Sequence, residues 1–83
     1  MIERVVSVLA SLESRPAALF VQTASRFESD IHMRIDNKTV NAKSIMGILS
    51  LGVFDGQEVT IIADGEDAQQ AVTELEKFLT SAN

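Results

Sequence analysis

The stretch Asp30-Ile31-His32-Met33-Arg34-Ile35-Asp36-Asn37-Lys38-Thr39-Val40-Asn41-Ala42 decides the fold. Its first part alternates, with Ile31, Met33 and Ile35 on one side and His32 and Arg34 on the other. A period of two marks a strand with one buried face. Asp36-Asn37-Lys38 reads as a turn, because Asp and Asn tolerate left-handed backbone angles. Thr39 to Ala42 then returns as a short strand, and a hairpin results.

Helical stripes flank this hairpin. Upstream, Pro16 fits the first turn of a helix, where its missing N–H is harmless. Ala17, Phe20, Val21, Ala24 and Phe27 recur at steps of three and four, so the spacing predicts a helix running to about Phe27. Arg15, Ala18 and Gln22 lie on another face. Downstream, Ser44 to Leu51 is a short helix with Ser44 as its N-cap. Further on, Ala68, Ala71, Val72, Leu75 and Leu79 form one more apolar stripe. Glu66 and Asp67 load the first turn of that last helix with negative charge, which suits the helix dipole. Two further strands complete the chain. Ile2 to Leu9 is rich in Val and Ile, but apolar residues on both faces leave its inward side open. Glu58 to Ala63 turns Val59, Ile61 and Ala63 to one face, between turns at Asp55-Gly56 and Asp64-Gly65. The last three residues, Ser81-Ala82-Asn83, are expected to fray.

The order is β-α-β-β-α-β-α. Helices with one apolar stripe and mostly one-sided strands build a two-layer α+β sandwich, with the helices on one face of a four-stranded sheet. Sequence order leaves the strand order open; a ferredoxin-like sheet fits the first six elements equally well.

Eighty-three residues, 46% of them hydrophobic, make one domain spanning 1–83. No cysteine is present, so there is no disulfide, thiolate metal site or cysteine nucleophile. One histidine excludes a multi-histidine metal site, and no cofactor is implied. The net charge of −5, from 12 acidic and 7 basic residues, and an aromatic content of four Phe argue against nucleic-acid binding. Ala17 to Val21 is the longest apolar run, far short of a membrane span of roughly 20 residues. Met1-Ile2-Glu3-Arg4-Val5 does not read as a signal peptide, so a cytoplasmic protein is expected.

Three segments go beyond generic folding: Ser11-Leu12-Glu13-Ser14-Arg15-Pro16-Ala17, Leu19 to Phe27 (LFVQTASRF), and Val40 to Gly52 (VNAKSIMGILSLG). Together they closely resemble HPr, the small phosphocarrier family of the bacterial sugar phosphotransferase system, over nearly the whole chain. The resemblance implies an open-faced sandwich with three helices on one face of an antiparallel sheet in the order 1-4-2-3.

Family members carry phosphate on the histidine of Gly-Leu-His-Ala-Arg-Pro. Here the motif is Ser11-Leu12-Glu13-Ser14-Arg15-Pro16, with Glu13 at the histidine position. A glutamate cannot form a phosphohistidine, and His32 lies on the polar side of an unrelated strand. An acyl phosphate on Glu13 is disfavoured, because a carboxylate repels the incoming phosphate. Glu13 reads instead as an anion near a helix start, worth roughly 0.3–1 kcal/mol. Ser44 matches the regulatory serine modified by HPr kinase/phosphorylase. The resemblance makes Ile45, Met46 and Leu49, bordered by Arg15, Ala18 and Gln22, the docking patch for that kinase and for a CcpA-type repressor. Judged without it, Ser44 is simply an N-cap, Ile45, Met46 and Leu49 are core, and Arg15 is a solvated side chain.

A chain with the serine but no carrier histidine resembles the Crh branch of the family, although that branch has glutamine where Glu13 stands. The implied function is a non-enzymatic corepressor, monomer or homodimer, without contact to DNA or membrane. The alternatives are a phosphocarrier variant, or an HPr-like module with other partners.

Overall fold

The computed structural model describes residues 1–81. Expected fraying at Ala82 and Asn83 falls outside these residues. The elements are β1 (Ile2–Ser7), α1 (Ser14–Ser25), β2 (Asp30–Ile35), β3 (Lys38–Asn41), α2 (Ile45–Leu51), β4 (Glu58–Asp64) and α3 (Ala68–Thr80). They form one sheet in the order β1-β4-β2-β3, every neighbouring pair antiparallel.

The alternation in β2 sets the register. Met33 faces Ile61 of β4 on one side and Val40 of β3 on the other, and Ile61 faces Arg4 of β1. Ile31, Met33, Val59, Ile61 and Ala63 are buried under the helices. α3 lies over β1 and β4, α2 lies against β2 and β3, and α1 touches both other helices. Phe20 of α1 is fully buried and meets Phe78 of α3 edge to face, with centroids 5.5 Å apart. Buried polar side chains are satisfied throughout the described residues.

The inward face of β1, left open by its sequence, is the one carrying Val6; Val8 just beyond is also buried. Val5 is 61% exposed on the uncovered side of the sheet. Arg4 leans toward the helices, where Nη1 donates to Glu76 Oε1 of α3 at 2.6 Å. β1 stops at Ser7, short of the expected Leu9. The Leu9 N–H turns away to the Leu79 carbonyl at the end of α3, 2.8 Å distant. α1 likewise ends two residues before Phe27. The N–H groups of Arg26 and Phe27 reach back only three residues, to the carbonyls of Thr23 and Ala24, and tighten the last turn.

The largest departure concerns Asp67. α3 starts at Ala68, so Glu66 and Asp67 precede its first turn, and the Asp67 side chain does not cap it. Its carboxylate crosses to the loop before β2 instead. Oδ2 accepts from the Glu28 N–H at 2.9 Å, while Oδ1 accepts from the Ser29 N–H at 3.0 Å and the Ser29 hydroxyl at 2.5 Å. Beside this staple, Gly65 adopts a φ of 154° and passes close to Ser29.

The Ser29 hydroxyl and the two N–H groups hold the Asp67 carboxyl below its ordinary value of 3.8. A lowered folded-state pKa contributes stability above the unfolded value and loses it as pH falls through the folded one. Thermal melts should therefore decline below about pH 4. In Asp67→Asn part of that decline should be missing. Equal acid slopes for the two proteins would show that the staple carries no net charge-dependent stability.

Candidate functional site

The residues singled out in the sequence lie at the starts of α1 and α2. Glu13 is the N-cap residue of α1, with extended backbone at φ −120° and ψ 147°. Its side chain is exposed and makes no capping hydrogen bond. Ser14 follows with φ 45°, a left-handed conformation that disfavours a residue with a Cβ. The loop before it is pinned to the segment after α2: the Leu12 N–H donates to the Val53 carbonyl, and Ser11 Oγ accepts from the Asp55 N–H.

Ser44 precedes α2. Its Oγ accepts from the Gly47 N–H at 3.1 Å, and its carbonyl accepts from the Ile48 N–H at 3.0 Å. Gly47 allows the helix to sit close on β3, since a Cβ there would meet the Asn41 carbonyl oxygen and Val40 Cβ at 3.3 Å. Lys43 is drawn away from the helix start, its Nζ donating to the Phe27 carbonyl at 2.6 Å.

α2 has only two turns and buries Ile48 and Leu51. Ile45, Met46 and Leu49 consequently point outward, at 37%, 72% and 43% exposure. Arg15, Ala18 and Gln22 are exposed on α1. Leu19 and Thr23 of α1 face α3. At about 100° per residue Ala18 lies on the opposite flank, toward α2, while Arg15 and Gln22 stand on the crest between. His32 is exposed on the uncovered face of the sheet, opposite Asn41 and Ile62.

Two exposed apolar residues went unread in the sequence. Leu19 is 46% exposed and, like Ala18, belongs to the apolar run Ala17 to Val21 but not to the buried stripe. Phe54 is 52% exposed and lies over Gly52, whose Cβ position is 3.6 Å from the ring. Its hint was an aromatic residue placed just before the Asp55-Gly56 turn. Among the described residues no cluster of acidic and histidine side chains could hold a metal ion.

The family model described as "PTS HPr component phosphorylation site" matches residues 3–81. The chain belongs to the HPr family. Its sequence is 54% identical over 74 residues to the HPr-like protein Crh of Bacillus subtilis, covering 89% of this chain and 87% of that one. Its fold superposes on the phosphocarrier protein HPr of Bacillus anthracis with a TM-score of 0.91, at 47% identity over 95% and 96% of the two chains. The crystal structure of Bacillus subtilis Crh, described as a domain-swapped dimer, gives a TM-score of 0.80 at 53% identity, covering 92% and 87%. The strand order and helix placement expected of an HPr-like sandwich are those found. No helix among the described residues is long and apolar enough to cross a membrane.

Proposed function

We propose that this HPr-like protein is a non-enzymatic, cytoplasmic regulator of carbon catabolite repression. It is phosphorylated on Ser44 by an HPr kinase/phosphorylase and then acts as corepressor for a CcpA-type repressor. It carries no phosphohistidine. The observation that bears the reading is the pairing of Glu13 at the carrier position with an intact Ser44 beside an exposed apolar patch.

The chemistry at Ser44 favours a phosphate. The first N–H groups of a helix lack carbonyl partners within it, and the dipole adds positive potential there. A phosphate on Oγ would take over the cap now made to Gly47 and add about −1.5 to −2 charges next to Ile45, Met46 and Leu49. A partner with an Arg or Lys pocket beside an apolar groove reads that combination. Arg15, Ala18 and Gln22 extend the surface from α1. Glu13 supports the absence of a carrier role, because phosphoryl transfer in this family needs an imidazole nitrogen at that place. This chain's own assembly, monomer or swapped dimer, is secondary to the switch.

Incubation with HPr kinase and ATP, read by mass spectrometry, tests the reading. Wild type should gain one phosphate and Ser44→Ala none. Only the phosphorylated wild type should then bind the repressor. No phosphate on Ser44, or equal repressor affinity for both proteins after treatment, would sink the proposal. Ser44→Ala should also lower stability by about 1 kcal/mol through loss of the cap, measurable by denaturant unfolding. An acid-labile or hydroxylamine-labile phosphoprotein formed with phosphoenolpyruvate and the general enzyme of the pathway would instead favour a carrier.

A further inference from the structure

The flank of α1 turned away from α2 carries a second arrangement. Arg15 and Leu19 of α1 and Arg26, the residue that caps its end, share one stripe at steps of four and seven, about 3.6 residues per turn. Glu74, Lys77 and Phe78 form the matching stripe on α3. The two stripes face each other across an open groove of about 520 Å³. Its floor is apolar: Leu19 is half exposed, and Phe78 is braced by the Phe20 ring beneath it. Its rim is basic. Three of the seven basic side chains in a chain of net charge −5 line this one groove. Lys77 lies 3.8 Å from Glu74, an exposed contact that leaves both guanidinium groups available. The Arg26 guanidinium lies 6.0 Å from the Phe27 ring centroid, a cation–π distance that helps hold it at the rim.

The spacing selects the ligand. Arg15 and Arg26 sit about 16 Å apart along the helix axis, too far for one phosphate or carboxylate to bridge. The groove is open along its length, whereas small-molecule sites enclose about 70–90% of their ligand. An extended peptide advances about 3.3 Å per residue and places alternate side chains on one side. Two acidic residues four positions apart therefore span about 13 Å on one face, with one side chain between them directed at the floor. The long Arg side chains close the remaining gap.

We propose that the groove between α1 and α3 binds an extended acidic segment of a partner protein. Its carboxylates pair with Arg15 and Arg26, and an intervening apolar side chain rests on Leu19 and Phe78. The rest of this acidic chain repels such a segment, so attraction is concentrated in the groove. The site does not need phosphate on Ser44.

The test uses the full, unphosphorylated chain labelled with ¹⁵N and the peptide acetyl-Glu-Ser-Leu-Ser-Glu-amide. Amide shifts of Leu19, Thr23 and Phe78 should saturate on titration. The double substitution Arg26→Glu with Lys77→Glu, both at exposed positions, should weaken binding at least 10-fold while the thermal melt confirms folding. A peptide with Lys in place of both Glu residues should give no saturable shift. Shifts confined to Ile45 through Leu49, or no saturation, would overturn the proposal. So would equal shifts with inorganic phosphate, which would indicate a small-anion site. Concentration-dependent self-association abolished by the same double substitution would assign the groove to a second copy of the chain.

Discussion

Gly65→Ala is expected to be among the most damaging single substitutions in the chain. A Cβ at Gly65 would meet Ser29 Cα at 2.7 Å and Ser29 Cβ at 2.9 Å, with the Ser29 hydroxyl nearer still. The first of these contacts is to backbone, so no rotamer change relieves it. Ser29 cannot retreat either, because it is buried and both its N–H and its hydroxyl are held by Asp67. The φ of 154° adds backbone strain for any residue with a Cβ. Overpacking and strain together should cost about 3 kcal/mol or more. At about 4–8 °C per kcal/mol for a domain of this size, the melting temperature should fall by about 12–24 °C. Gly56→Ala is the control. Gly56 also has a positive φ, 95°, but nothing lies within 4 Å of the added Cβ. Equal losses for the two variants would show that the approach to Ser29 is not the cause.

Met46→Asp should have the opposite profile: a large effect on partners and a small one on the fold. Met46 is 72% exposed and occupies the first turn of α2, where a negative charge is compatible with the helix dipole. Stability should change by no more than about 0.5 kcal/mol. On the regulatory reading, however, the Met46 side chain lies at the centre of the apolar patch. A carboxylate there must be desolvated against an apolar partner surface and also repels a phosphate on Ser44. A loss of about 2–3 kcal/mol, or roughly 30- to 150-fold, is expected in repressor affinity. The kinase's kcat/KM should fall in the same direction. The measurement is titration of fully phosphorylated protein, prepared with excess kinase. A melting temperature lowered by many degrees would make Met46 a core residue; unchanged affinity would remove the patch from the interface. Ile48→Asp, two residues on but on the opposite, fully buried face of α2, should unfold the domain and marks the contrast.

The hairpin of β2 and β3 was legible because β2 alternates between a buried and a wet face and the turn after it carries Asp36 and Asn37; β3, exposed at Lys38, Thr39 and Asn41, was read from its place after that turn. The stripe of α3 was legible for the same reason as β2. β1 resisted because Val5 and Val6 are both apolar while only Val6 is covered; an open-faced sheet tolerates Val5 in water. Asp67 resisted more deeply. An acidic residue just before a helix has a sufficient local explanation in the dipole, and its actual partners lie 38 and 39 positions away. Nothing local announces them. The strand order is a comparable case: neighbours such as β1 and β4 are separated by most of the chain, so only the family resemblance supplied it. At the candidate site, the family resemblance marked Ile45, Met46 and Leu49 as a docking patch; their apolar character alone read as core. Leu19 and Phe54 escaped notice because a single apolar residue, inside an apolar run or just before a turn, does not announce its exposure.

The pairing of β1 with β4 has a consequence for biosynthesis. Val6 lies opposite Val59, so β1 must wait for β4 to be made. At about 5–20 residues per second, the ribosome takes about 3–11 s to add the intervening stretch. During that interval the Val-rich segment Ile2–Ser7 has no place to dock within its own chain. An identical segment from a neighbouring nascent chain offers β4 the same hydrogen bonds and the same side chains. Where two such chains emerge side by side, timing and local concentration, not contact energy, decide which β1 fills the edge of the sheet.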